Sequence, residues 1–444
     1  MEQPRKQEAV NRLPNVLYIM TDQQSADSMS CAGNAFLSTP ALDRLASRSV
    51  RFNCAYTAFP LCVPARTAMF TGRMPHEAGV RDNYPERHTG LPFPMLGRLM
   101  TDAGYCSHYI GKWHIPSVAE TDTQTHGFDE VVFGGGYGDL DRNKTAAAVK
   151  FLRRRHDRPF FLTISYNNPH DCCELSRDQQ LRMGDIPSPP ADMSQLPPLP
   201  DNHMMPENAP YVLREFQIMM KRFLPAHEWD EERTRRYIWG YNRLVEMVDR
   251  EIGRVLEALE ETGRIGNTVI IFASDHGDGR GCHRWNQKWS LYDESVRVPF
   301  IISAPVIVSP GSKNSWPVSP MLDFMSTVLD YANVMVPENC RGISIRPVLE
   351  GRRAPERECV VSETLLGEPN CCPEYKGNAG RMVRSEQFKY IIYQRGKDRE
   401  QLFDMQSDPG EMSSLVKDPG HAEVLDKHRD YLRRWRRQTR DELI

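Results

Sequence analysis

No stretch of this chain approaches the roughly 18 uninterrupted apolar residues that a membrane-crossing helix needs, so no membrane span is expected. The opening residues, Met1 to Arg12, are polar and lack the apolar core of a secretory signal. The expectation is therefore a cytoplasmic protein if the chain is complete, or a periplasmic or secreted one if a leader was trimmed. Excess charge is scarce as well: 56 Lys and Arg against 59 Asp and Glu leave a net −3. That balance argues against a general polyanion binder, so no nucleic-acid partner is expected, although a local basic pocket remains open. The 11 cysteines include no C-x-x-C pair, and the neighbours Cys172-Cys173 and Cys371-Cys372 do not form a zinc-ligand pattern. Apart from Cys62 they read as reduced, small, partly buried hydrophobes.

What is present is a repeated arrangement of polar residues directly after short apolar runs. Val16 to Met20 leads to Thr21-Asp22-Gln23, and Thr268 to Phe272 leads to Ala273-Ser274-Asp275-His276. Phe160 to Tyr166 precedes Asn167-Asn168-Pro169-His170, and Cys106 to Ile110 precedes Gly111-Lys112-Trp113-His114. Runs of this length and β-branched content are those of buried parallel strands. Ligands of open α/β sheets bind beyond the carboxyl ends of the strands, so the four clusters can converge on one crevice. With 40% hydrophobic residues over 444 positions, the chain can bury one large domain and a smaller one.

Helical signals alternate with these strands. Thr39-Pro40 predicts a helix from Ala41 to Ser49, with a capping residue followed by proline in the first turn. Tyr237, Tyr241, Leu244, Val248, Ile252, Val255 and Leu259 recur at spacings of three and four and predict a helix over Thr234 to Glu261, with Gly263 as its stop. Residues 171 to 232 break the rhythm, because eight prolines between Pro187 and Pro210 exclude long regular elements. Since this stretch starts right after His170, it reads as a substrate-shaping insertion. Beyond residue 340, Arg381 to Arg384, Phe388 to Tyr393 and Gln401 to Asp404 predict short antiparallel strands. His421 to Arg437 predicts a charged surface helix whose arginines form a solvated face. The expected division is a catalytic domain over 13–340, containing the 171–232 insertion, and a C-terminal subdomain over 341–444.

Cys62-Val63-Pro64-Ala65-Arg66-Thr67 places a thiol, a helix-starting proline and a fixed cation in one turn. Pro64 and the residues after it predict a helix start, whose free amides favour an anion. Asp22, Asp275 and His276 offer two carboxylates and an imidazole. Taken singly, Asp22 also reads as an Asx turn and Asp275-His276 as a helix cap. As a set they suit a hard divalent cation, calcium or magnesium, while His276 and Gln23 would accept manganese too.

Cys-x-Pro-x-Arg in this company resembles the type I sulfatases of the alkaline phosphatase superfamily, and the resemblance runs from Asn15 to about Leu415. It implies an α/β fold with a central mixed, mostly parallel sheet flanked by helices and a small C-terminal α+β subdomain. It also implies that Cys62 is oxidised to formylglycine by a maturation enzyme. On this reading Asp22, Gln23, Asp275 and His276 hold the metal, with Gln23 standing where the family commonly carries a second acid, as in its Asp-Gln branch. Arg66 holds the nucleophile or the sulfate, and Lys112 contacts sulfate. His114 removes the proton whose loss expels sulfate, and His170 protonates the leaving alcohol with Lys288 assisting. Asn83 and His283 lie beside matched segments as candidate substrate contacts, while Arg280, Trp285 and the insertion are candidates for a sugar pocket, with packing an equal reading for Trp285.

The implied activity is hydrolysis of a sulfate ester, on a small molecule or an oligosaccharide. The alternatives are a phosphonate monoester or phosphodiester hydrolase, or a sulfate-ester-binding homologue in which Cys62 stays a thiol. The oligomeric state is not legible.

Overall fold

The computed structural model describes residues 13–84, 91, 93–115, 118–119, 121–134, 139–367 and 377–443; Met1 to Arg12 and the pair Cys371-Cys372 lie outside them. Eight strands form the main sheet: β1 (Asn15–Asp22), β2 (Val50–Phe52), β3 (Cys106–Gly111), β4 (Glu130–Val132), β5 (Phe160–Pro169), β6 (Thr268–Ser274), β7 (Phe300–Ser303) and β8 (Lys313–Asn314). Their order is β4-β3-β5-β1-β6-β7-β2-β8. The five strands from β4 to β6 are mutually parallel, and β7 runs antiparallel to both its neighbours. The architecture is the expected mixed, mostly parallel α/β sheet.

The sheet is buried on both faces, which explains why its central strands lack polar alternation. Along β1, Val16, Tyr18 and Met20 enter one core layer while Leu17 and Ile19 enter the other. The first layer is closed by the helices Cys62–Thr71 and Pro320–Tyr331, and the second by Pro40–Ser47, Asp141–Arg153 and the long helix Glu231–Glu261. Because β1, β3, β5 and β6 are parallel neighbours, Asp22, Lys112, His170 and Asp275 all emerge at the same edge of the sheet.

The helix boundaries differ from the sequence reading for identifiable reasons. The long helix starts at Glu231, three residues early, because the Asp230 carboxylate caps the Arg233 amide. The helix Pro40–Ser47 ends two residues short of Ser49, and the Thr39 hydroxyl is spent on Ser30 instead of capping. Its first amides are satisfied from outside, by Asp249 of the long helix at 3.1 Å to Ala41 and 2.9 Å to Leu42. The insertion holds one regular element that its prolines were expected to exclude, the helix Tyr211–Met219. It starts right after Pro210, the last of those eight prolines, and buries Val212, Leu213 and Phe216 against Trp285 and Trp289.

The C-terminal sheet has four antiparallel strands in the order β12-β11-β10-β9: β9 (Val360–Leu366), β10 (Asn378–Arg384), β11 (Phe388–Tyr393) and β12 (Glu400–Asp404). The sequence reading contained the last three. The terminal helix Ala422–Thr439 buries Leu425, Tyr431 and Leu432 and leaves most of its arginines outside. The nine described cysteines are all free. Among the described residues no helix is long and apolar enough to cross a membrane.

Candidate active site

Cys62 opens the ten-residue helix Cys62–Thr71. Pro64 is tolerated in its first turn because the amide it lacks would have no intrahelical partner. The Val63 amide, which has no intrahelical acceptor, donates to Asn83 Oδ1 at 3.0 Å, so Asn83 sits at the helix start as a cap. Arg66, one turn on, lies on the same face as Cys62.

Around the thiol the four strand ends meet. Cys62 Sγ lies 3.2 Å from His276 Nε2, 3.3 Å from Lys288 Nζ and 3.7 Å from Asp22 Oδ1, and His114 hydrogen-bonds to it as well. Arg66 ties the set together. Its Nε donates to Asp275 Oδ2 at 3.1 Å, Nη2 to Asp22 Oδ2 at 3.0 Å, and Nη1 to the Lys112 carbonyl at 2.7 Å and Ser165 Oγ at 2.8 Å. The Lys112 ammonium reaches Asp22 Oδ2 at 2.6 Å. Asp22, Cys62, Arg66, Lys112, Asp275 and His276 are fully buried, whereas His170 and Lys288 keep slight exposure. Gly111 permits this convergence: its φ of 109° turns β3 toward Lys112, and a Cβ there would lie 2.0 Å from the Ser165 carbonyl.

The charges follow from burial and neighbours. Burial opposes ionisation of Cys62, yet Lys112, Lys288 and His276 hold the thiol well below its ordinary value. Burial likewise works against Asp22, but Lys112, His170 and Arg66 keep it ionised well below the usual carboxylate range. Asp275 is shifted upward by burial and by Asp22. Burial, reinforced by Lys112, pushes His114 down to about 4, so its imidazole is neutral.

The donor set fits a hard divalent cation. Ligand atoms of Asp22, Cys62, Asp275 and His276 lie within 4.8 Å of one another. His276 Nδ1 faces the Gly277 carbonyl at 3.0 Å, which places the proton there and leaves Nε2 directed at Asp22 and Asp275, 3.9 and 3.8 Å away.

Gln23 and His283 have partners beyond the Asp22, Cys62, Asp275 and His276 cluster. Gln23, expected as a fourth metal donor, borders the cluster: its Nε2 donates to Asp278 Oδ2 at 2.8 Å, and its Oε1 faces Cys173 Sγ at 3.5 Å and accepts at 3.2 Å from the same Lys288 Nζ that meets Cys62. His283 was expected at the substrate; it stacks on Tyr292 with centroids 3.9 Å apart and faces Glu294 and Asn202, because the backbone turns at Arg280 to Arg284 through positive φ. Lys288 Nζ lies 3.3 Å from His170 Nε2, so these two do meet. Trp285 is buried, with its indole donating to the Lys288 carbonyl, and Arg280 is paired with Asp27. Trp285 thus presents no free face to a sugar, whereas Arg280 lines a cavity together with Pro197, Pro198 and Pro200 of the insertion.

Three further residues in contact with the site were not read from the sequence. Asp278 was signalled only by being another acid just after β6, Cys173 only by following His170, and Ser165 lies inside β5 with nothing to mark it.

Comparison with known proteins identifies the class. The sulfatase family model matches residues 14–334, and an N-sulphoglucosamine sulphohydrolase C-terminal model matches residues 281–438. The chain belongs to the sulfatase family, in the alkaline phosphatase superfamily, and is a sulfuric ester hydrolase. It is 33% identical to a Delta 4,5-hexuronate-2-O-sulfatase of Bacteroides thetaiotaomicron, over 95% of this chain and 89% of that one. An N-acetylglucosamine-6-O-sulfatase of the same organism is 28% identical, over 97% and 86%. Among solved structures, a 2-O GAG sulfatase aligns with a TM-score of 0.84 at 31% identity, covering 97% of this chain and 93% of the other. A phosphonate monoester hydrolase of Agrobacterium radiobacter shares the fold, with a TM-score of 0.75 at 21% identity over 97% of both chains.

Proposed function

We propose that this sulfatase hydrolyses a sulfate ester on a carbohydrate, using a formylglycine made from Cys62 beside a divalent cation, calcium in first place, with magnesium or manganese as alternatives. The observation that carries the reading is the position of Cys62 Sγ, at a helix start and 3.2 to 3.7 Å from His276, Lys288 and Asp22. The hydrated aldehyde supplies a hydroxyl that attacks sulfur and a second hydroxyl whose deprotonation releases sulfate by carbon–oxygen cleavage, which a serine cannot offer. Asp22, Gln23, Asp275 and His276 would hold the divalent cation, which would supply charge neutralisation for the sulfate and a lower pKa for the attacking hydroxyl.

The chain's own groups then divide the work. Arg66 orients both carboxylates through a guanidinium that stays protonated. Lys112 adds positive charge where the sulfate oxygens would lie. His114, neutral and bonded to residue 62, is placed to accept a proton from it. His170 and Lys288 face each other on the more open side, where His170 donates a proton to the departing alcohol and Lys288 stabilises the charge that develops.

A sulfated carbohydrate substrate is supported by the two Bacteroides relatives, both of which act on sugar sulfates by name. The test is steady-state hydrolysis of an unsaturated hexuronate 2-O-sulfate against a phosphonate monoester. The expected result is kcat/KM at least about a hundredfold higher on the sugar sulfate. A preference for the phosphonate would contradict the proposal and favour the phosphonate-hydrolase reading.

A further inference from the structure

We infer that Asp141, paired with Lys144, is the positioning residue of His170: its carboxylate holds the end of β5 where the sheet does not, and so fixes the place from which the leaving alcohol receives its proton. The inference rests on the proposed function, since it takes from there the role of His170 as proton donor.

The sheet lets go of β5 just before His170. Up to Ser165 the strand is paired on both sides, with Met20 of β1 and Gly111 of β3 opposite its last paired residue. Pairing with β1 resumes only at Pro169, opposite Asp22, so three residues, Tyr166 to Asn168, stand where β1 offers one, Thr21. Among the described residues no strand pairs with these three. A bulge of this kind re-aims the chain beside a site, and it leaves buried amides that need acceptors. Asn167 and Asn168 are both buried. The Asn167 amide donates to Asp141 Oδ1 at 2.8 Å and the Asn168 amide to Asp141 Oδ2 at 3.0 Å. One carboxylate thus takes the place of a neighbouring strand. His170 is coupled to that clamp directly, since its own amide donates to the Asn167 carbonyl at 3.0 Å.

Asp141 is the first residue of the helix Asp141–Arg153, where the free helix amides favour an anion. Lys144, one turn on, reaches its Oδ1 at 3.0 Å. This lysine is buried as well, and burial pulls its ammonium below the ordinary lysine range while Asp141 opposes the shift. The carboxylate therefore receives two amides and one ammonium, and its charge is balanced where water does not reach. Thr145 adds a further hold from the same helix end, its hydroxyl 2.9 Å from that of Tyr166. One helix start carries Tyr166, Asn167 and Asn168, and through them the imidazole whose Nε2 lies 3.3 Å from Lys288 Nζ.

The experiment compares mature, metal-loaded variants on a sugar or alkyl sulfate, whose departing oxygen needs a proton, and on nitrophenyl sulfate, whose departing oxygen does not. Asp141→Asn alone would strand the Lys144 ammonium, so it is combined with Lys144→Met, which removes both charges and keeps the side-chain volumes. This pair is expected to melt close to wild type and to lower kcat about 10- to 100-fold on the poor leaving group, but less than about threefold on the aryl ester. Equal losses on the two esters overturn the inference. A double-mutant cycle with His170→Ala separates positioning from a general structural role. On the His170→Ala background the Asp141→Asn/Lys144→Met pair should cost less than about threefold on the poor leaving group, because the side chain it positions is gone; losses that multiply overturn the inference. Asp141→Glu supplies an independent variant that keeps both charges and shifts the carboxylate by one methylene. It should show the same leaving-group pattern, and wild-type kcat on both esters would overturn the clamp. If His170→Ala itself shows no leaving-group defect, the proton-donor role assigned in the proposed function fails instead.

Discussion

Arg66 meets two buried carboxylates with one guanidinium, and its other donors hold the Lys112 carbonyl and Ser165. Removing it leaves Asp22 and Asp275 with Lys112 as the nearest remaining full cation, and breaking a buried pair of this kind costs about 3–5 kcal/mol. Arg66→Met is therefore expected to unfold at markedly lower temperature in chelator, and to regain much of the loss when calcium is added, as read by differential scanning fluorimetry. A variant as stable as wild type in chelator would remove the electrostatic account of the site. At the same scale, His170→Ala should cost about 10² to 10⁴ in kcat on esters with poor leaving groups and much less on activated aryl sulfates; equal losses would argue against a proton donor. The residues that the sequence made legible are those immediately after β-strands, where the strand-end rule turns linear order into proximity: Asp22, Lys112, His114, His170, Asp275 and His276. The side-chain partners of Gln23 and His283 were not legible, because their direction depends on positive-φ backbone turns, which spacing does not encode.

Elements place these residues, and they do so through contacts between segments far apart in sequence. Asp249, near the middle of the long helix, satisfies the first amides of Pro40–Ser47 some 200 positions away. Asp249→Ala would leave two buried amides without an acceptor and should cost about 2–4 kcal/mol in urea unfolding, with kcat unchanged in the folded protein. Gly111→Ala is expected to act on the site itself, because the new methyl meets the Ser165 carbonyl at the point where β3 delivers Lys112. The check is kcat/KM, which should fall at least tenfold, and wild-type values would show that β3 can shift without consequence. Strand and helix identities were readable from apolar periodicity. The boundaries, the helix Tyr211–Met219 and the strand β9 were not, since caps supplied by side chains and pairing with distant strands decide them.

The whole molecule joins the two sheets through buried charge. Lys389 of β11 places its ammonium 2.8 Å from Asp293 Oδ1 and 2.7 Å from Glu411 Oε1. Asp293 also has Arg297 and stays ionised well below the usual range despite its burial. Glu411 is left to share one cation; burial, with Asp293 and Glu294 nearby, pushes it up to about 8 from an ordinary 4.5. A carboxyl raised in the folded state contributes stability that is full below its unfolded pKa and declines as pH rises toward the folded value. Unfolding free energy should thus fall between about pH 5 and 8, and Glu411→Gln should flatten that slope; an unchanged slope would locate the pH dependence elsewhere. The central claim, that this fold assembles its reacting centre around an oxidised Cys62, is tested most directly by intact mass of active enzyme co-produced with a formylglycine-generating partner. Conversion of thiol to aldehyde lowers the mass by about 18 Da, on the peptide carrying residue 62, in proportion to specific activity. Full sulfatase activity in protein of unshifted mass, or in Cys62→Ala, would contradict it.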